Sequence, residues 1–176
     1  GRGYLEGQEY AESEKWLKRA EDLANEREPL TSKVRLCLAK VAESRSDFQA
    51  AKDLYQRVLD APGSKRFRRE ALLGIAEAAA SLDETEASLD AYSRLVDSFH
   101  DNTTTALTKD TVADSAMARF RTRFEAGDAR TALRYASIGE SLFERGRAPG
   151  DVLLGLGLDA VGALGADDAD AGSRTA

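Results

Sequence analysis

The chain has one cysteine, one histidine and three prolines in 176 residues. A single cysteine, Cys37, excludes an internal disulfide and any cysteine-based zinc site. The single histidine, His100, stands in a turn beside Asp101 and reads as a surface capping residue; no Ser-His-Asp set assembles around it. Valine and isoleucine together number 9, too few to cover the pleated faces of a sheet protein. The longest apolar stretch, 152–164, is broken by Asp159 and interrupted by glycines, so it is too short to span a bilayer. Gly155-x-Gly157 lacks both the preceding strand and the spacing of a nucleotide motif. A net charge of -6 argues against general attraction to nucleic acid or anionic lipid. No signal peptide is visible. The chain begins on Gly1 rather than methionine and reads as a fragment, for which cytoplasm and bacterial periplasm fit equally.

What remains is helical in composition. Alanine occurs 30 times and leucine 21 times, and both enter helices at little entropic cost. Hydrophobic residues make up 42% and charged ones 32%, a balance that folds rather than stays disordered. Arginine outnumbers lysine, which with the abundant alanine points to a bacterium with a GC-rich genome.

Strong helix breaks fall at Glu28-Pro29, 61–64, 100–102 and 146–150. Weaker ones fall at Gly7-Gln8, 44–47, 82–85 and Gly127-Asp128. Strong and weak breaks alternate, so the chain reads as helix, short turn, helix, longer turn, repeated. After Asp47, which is placed as a cap, Phe48, Ala51, Leu54, Tyr55, Val58 and Leu59 share one helical face. Ser88, Leu89, Tyr92, Leu95, Val96 and Phe99 do the same. So do Tyr10, Ser13, Leu17, Ala20 and Leu23, beside Trp16, and more loosely Ala132, Leu133, Ala136, Ile138 and Leu142. First helices are expected near 34–43, 69–81 and 112–126. Cys37, among Leu36, Leu38 and Val41, is expected to be a small buried hydrophobe.

Self-alignment tests the repetition. When Ser13, Ala51, Ser88 and Ala132 are superposed, the residue four later is Leu17, Tyr55, Tyr92 or Ala136. Twelve before the last three anchors stand Ala39, Ala76 and Phe120. Small residues at these places let two helices approach to about 8–10 Å. This pattern resembles the tetratricopeptide repeat family, on Ser46-Asp47-Phe48 with Ala51 and Tyr55, on residues 89–95 and on Gly127-Asp128 with Ala132. The spacings exceed the family's usual ~34 residues, and the largest excess lies in 101–114, where a short extra turn is expected.

The resemblance implies an all-α fold, an α-solenoid of stacked antiparallel helix pairs wound into a right-handed superhelix. Its domain spans 1–165, with a half repeat at 1–28, repeats near 30–62, 67–100 and 110–146, and an extra or capping helix at 151–165. The tail 166–176 is expected to be disordered. The family holds a peptide or partner helix on its concave face. Carried over, that face comprises Lys33, Leu36, Lys40 and Glu43, then Glu70, Leu73, Glu77 and Ala80, then Asp114, Met117, Arg121, Phe124 and Glu125. The family's carboxylate clamp is absent, since Leu36 and Leu73 replace its lysine and Lys40 and Glu77 its asparagine.

The basic run Lys65-Arg66-Phe67-Arg68-Arg69 reads as a solvated helix start, with Phe67 against the preceding pair and Glu70 compensating. The expected function is a non-catalytic scaffold for another protein or peptide, with no cofactor, no metal, no nucleic acid and no membrane insertion. Alternatives are self-association through terminal repeats, and an accessory or regulatory domain of a larger protein.

Overall fold

The computed structural model describes residues 2–24, 27, 29–62, 64–100 and 106–143. Among them the fold is all-α. Its helices are α1 (Arg2–Ala24), α2 (Leu30–Ser44), α3 (Phe48–Asp60), α4 (Arg68–Ser81), α5 (Thr85–Ser98), α6 (Lys109–Glu125) and α7 (Ala129–Ser141), and a 3-10 turn, Ser64–Phe67, precedes α4. The capping helix expected at 151–165, the tail 166–176 and the residues 101–105 of the long connection lie outside the described residues.

The helices fall into two compact units, Gly1–Thr108 and Lys109–Ala176. In the first, each helix packs on the next in chain order, and α2 also touches α4. In the second, α6 packs on α7.

Three short turns join α2 to α3, α4 to α5 and α6 to α7, and they share one construction. Each holds a residue in the left-handed region: Ser46 and Asp83 at φ 60° and Gly127 at φ 80°. The following N–H reaches back to a carbonyl five residues earlier: Asp47 to Ala42, Glu84 to Ala79 and Asp128 to Arg123, each at 2.9 Å. This left-handed cap satisfies helix-end carbonyls that would otherwise lack donors. Asp47 and Asp128 then cap the next helix, accepting from Ala50 N–H at 3.2 Å and Thr131 N–H at 3.1 Å. The longer Glu84 makes no such side-chain bond.

The small residues lie in the interior. Ala39, Ala51, Ala76, Ser88 and Ala132 are completely buried, and Phe120 nearly so. Ser88 shows what such a residue does: its Oγ donates to the Ala76 carbonyl at 2.8 Å, so a buried hydroxyl is satisfied across the α4–α5 contact. At the far end of the same contact Arg69, also buried, donates to the Ser98 carbonyl at 2.7 Å and lies 4.3 Å from the Phe99 ring centre.

Several expectations need correction. Cys37 is exposed, because it shares the outer arc of α2 with Leu30, Lys33 and Lys40 rather than the inward face of Val34 and Leu38. Gly7-Gln8 is no break; α1 runs straight through it, a glycine costing only ~1 kcal/mol within a long helix. The inward face of α1 carries Tyr10, Leu17 and Ala24, whereas Ser13 and Leu23 point outward. In α7 the buried aromatic is Tyr135, one position before Ala136, and Leu133 is exposed. Helix α6 starts at Lys109, before Val112.

Tyr55 is the residue that joins successive pairs. Its ring, 3% exposed, lies over Gly74 of α4 so closely that any Cβ there would overlap it. On helix propensity alone, Gly74→Ala should stabilise by about 1 kcal/mol. The ring reverses the sign: we expect a loss of about 1–3 kcal/mol in urea unfolding. In a Tyr55→Ala background the same substitution should become neutral or stabilising.

Candidate functional site

Helix α4 is buried almost all round. Its interior positions include Ala71, Leu72, Gly74, Ile75, Ala76, Ala78 and Ala79. One stripe is left half-exposed: Glu70, Leu73, Glu77 and Ala80, at steps of three, four and three residues. Because α2 touches α4, the neighbouring stripe of α2 completes a face in the first unit. On it Lys33 and Lys40 are exposed, Glu43 is half-buried and Leu36 is buried.

Tyr55 closes the floor between these helices. Its hydroxyl donates to Glu43 Oε2 at 3.0 Å. Burial pushes the Glu43 carboxyl above its usual range; the Tyr55 hydrogen bond opposes this, and the charge of Glu77 adds to the rise. Burial also pushes the Tyr55 phenol far up, with the Glu43 charge helping, so Tyr55 stays protonated and keeps donating. Glu70 Oε2 is buried and accepts no hydrogen bond. The expected pairing of Glu70 with the basic run is therefore not made. Arg69 turns instead to Ser98 and Phe99, and Arg66 lies 5.7 Å from the Phe67 ring centre. Phe67 sits beside Pro29, Leu30 and Lys33, against the preceding pair as expected.

The face thus combines two exposed ammonium groups on α2 with the neighbouring carboxylates of Glu43 and Glu77 and, at Glu70, a buried oxygen without a donor. Its apolar part is Leu73, since Leu36 faces inward. In the second unit Asp114, Arg121 and Glu125 are exposed on α6, and Met117 is buried. Phe124 is 37% exposed and its ring centre lies 5.7 Å from that of buried Phe120. The thiol of Cys37, missed by the reading of the sequence, belongs to the exposed arc of α2 with Lys33 and Lys40. The three-and-four spacing of Leu30, Lys33, Cys37 and Lys40 was the available signal.

Among the described residues, no helix is long and apolar enough to cross a membrane, and no group of three His, Cys, Asp or Glu could hold a metal ion. His100 is exposed at the end of α5. No family model, no curated protein and no solved structure matches the chain.

The Glu43 carboxyl binds its proton more tightly folded than unfolded. The stability linked to it is present below its ordinary value of 4.5 and lost as pH rises through the folded value. Glu43→Gln keeps an acceptor for Tyr55 and has no charge to bury. Its stability relative to the parent should therefore climb as pH rises above about 4.5 and level off once the Glu43 carboxyl is ionised in the folded state. Urea unfolding across that range checks this; a difference independent of pH would contradict it.

Proposed function

We propose that the chain is a non-catalytic interaction scaffold, and that the α2–α4 face of its first unit receives an extended peptide or a partner's helix. In this reading α2–α3 and α4–α5 are antiparallel pairs of tetratricopeptide type, stacked in the manner of a solenoid, and α6–α7 is a pair of the same type. Repeating left-handed caps at 46, 83 and 127, buried small residues at each pair's contact and the Tyr55–Gly74 seat support it.

The observation that carries the proposal is the α4 stripe. A helix packed on every other side leaves Glu70 and Glu77 at its one open edge, and a Glu70 oxygen there is buried without a donor. Leaving a buried acceptor unmet costs free energy. A guanidinium or ammonium from a partner that docks on the half-exposed carboxylates of Glu70 and Glu77 offsets the crowding of Glu43 and Glu77. Leu73 supplies apolar contact beside them. Lys33 and Lys40, along the α2 edge, select an acidic group at the partner's other side and so fix its direction. The partner is therefore a segment with basic and apolar residues on one edge and an acidic residue on the other.

Binding of the intact chain to an array of such peptides, with charge-swapped controls, tests this. Glu70→Gln with Glu77→Gln should weaken the basic-edged peptides roughly 10- to 100-fold, the worth of one charge-assisted bond of about 1.5–3 kcal/mol. Helicity by circular dichroism should not change. Equal binding by parent and variant removes the face from consideration while leaving the fold untouched.

A further inference from the structure

A cleft opens between the start of α2 and the 3-10 turn that precedes α4. It measures about 230 Å³ and is lined by Pro29, Leu30, Lys33, Arg66 and Phe67. Its apolar wall holds Leu30, 52% exposed, with exposed Pro29 and half-buried Phe67. Lys33 and Arg66 are both exposed. An oily wall and two cations thus share one small space.

The positive charge at this place is uncompensated within the fold. Lys33 and Arg66, with Lys65 and Arg68 from the same basic run, form no ion pair with any described residue. Elsewhere in the first unit Arg35, Arg45 and Lys52 each reach a glutamate. Two helix dipoles add to the charge, because α2 and α4 begin here, behind Pro29 and Phe67, and neither start has a side-chain cap. Helices α3 and α7, by contrast, start behind aspartates that accept from their first turns. Cations at a helix start oppose its dipole, so the isolated fold is worse off for them. Arg68 faces a separate recess with Arg94, Asp97 and Ser98 and leaves the cleft to Lys33 and Arg66.

Size, shape and sign fix the class of occupant. Sites for whole small molecules run to ~300–1,000 Å³, so a cleft of about 230 Å³ suits one large side chain. Phe67 is half-buried with Arg66 over its ring, 5.7 Å from the centre, so it offers no open platform for a stacked base. The net charge of -6 opposes an extended polyanion such as a nucleic acid or an anionic bilayer. What fits is an apolar side chain with carboxylates directly beside it. We propose that the cleft anchors an acidic segment of a partner protein. One aromatic or leucine side chain of that segment packs against Leu30 and Phe67, and flanking aspartates or glutamates meet Lys33 and Arg66. The site shares Lys33 with the α2–α4 face but needs no ligand there.

The probe is a fluorescein-labelled peptide with one phenylalanine between two pairs of aspartates, titrated with the intact chain and read by anisotropy. We expect saturable binding that weakens as salt is raised. Replacing the peptide's phenylalanine with serine should weaken it about 10-fold or more. Leu30→Ser should do the same from the protein side, and Arg66→Ala should weaken it several-fold. Lys33→Glu with Arg66→Glu should reject this peptide and take up its counterpart with lysines in place of aspartates, which the parent does not bind. Loss of folding cannot produce that reversal. Leu30, Lys33 and Arg66 are exposed, so helicity by circular dichroism should be unchanged in every variant. The probe has no basic edge, and Glu70→Gln with Glu77→Gln should leave its affinity undiminished, which separates this cleft from the α2–α4 face. Absence of saturable binding, equal binding of the serine peptide, or indifference to Leu30→Ser and Arg66→Ala overturns the proposal. So does tighter binding to oligothymidylate or to phosphatidylserine vesicles, which assigns the charges to nucleic acid or to membrane instead.

Discussion

The close approach of paired helices at small residues is the constraint on which the rest depends. Ala39, Ala51, Ala76 and Ser88 are all fully buried where α2 meets α3 and α4 meets α5. A larger side chain there would hold the backbones apart, and the three-residue turns could not span the gap while keeping their left-handed caps. The approach also brings Ser88 Oγ to the Ala76 carbonyl, so a buried hydroxyl in the contact finds a partner. Once pairs are that thin, the space between successive pairs is wider, and Tyr55 fills it. Its ring takes the place a side chain at Gly74 would occupy, and its hydroxyl reaches Glu43 on α2. One side chain thereby ties three helices together and places a carboxylate at the edge of the candidate face.

That edge is an electrostatic compromise. Glu43 is drawn inward by its bond to Tyr55, where burial and the nearby Glu77 oppose its charge. The bond from Tyr55 recovers only part of that cost, since a neutral donor stabilises a carboxylate less than a cation would. Apolar residues at 43, 70 and 77 would bury more cheaply. Holding the Glu43 carboxyl buried beside Glu77 is therefore costly to the isolated fold, a cost that a cationic partner would offset in the function proposed above.

Much of the local architecture was legible in the sequence because its signals are local. Asp47 and Asp128 sit immediately before apolar-periodic segments and do cap them; Ala39, Ala76 and Ser88 stand at a fixed twelve-residue offset or anchor and are buried. What was misread depends on a neighbour in space. Cys37 is flanked in sequence by leucines, yet its helix turns that position outward. Leu23 fits the periodicity of α1, but periodicity marks an apolar side without saying what covers it. Tyr135 carries the aromatic of α7 one place before the repeat register, so superposed positions missed it. Of the residues carried over from the resemblance, Glu70, Leu73, Glu77 and Ala80 are half-exposed, while Leu36 and Met117 are buried. Exposure at i and i+3 or i+4 on a nearly buried helix is set by packing on two sides at once, which one strand of text does not encode.

The same packing decides how completely each helix is covered. In α5 the pair-mate side is complete, with Ser88 and Ser98 bonded to α4. In α1, among the described residues, only the side facing α2 is covered, and Arg35 with Arg45 fixes it there through Glu21 and Glu14, while Trp16 and Leu23 stay exposed.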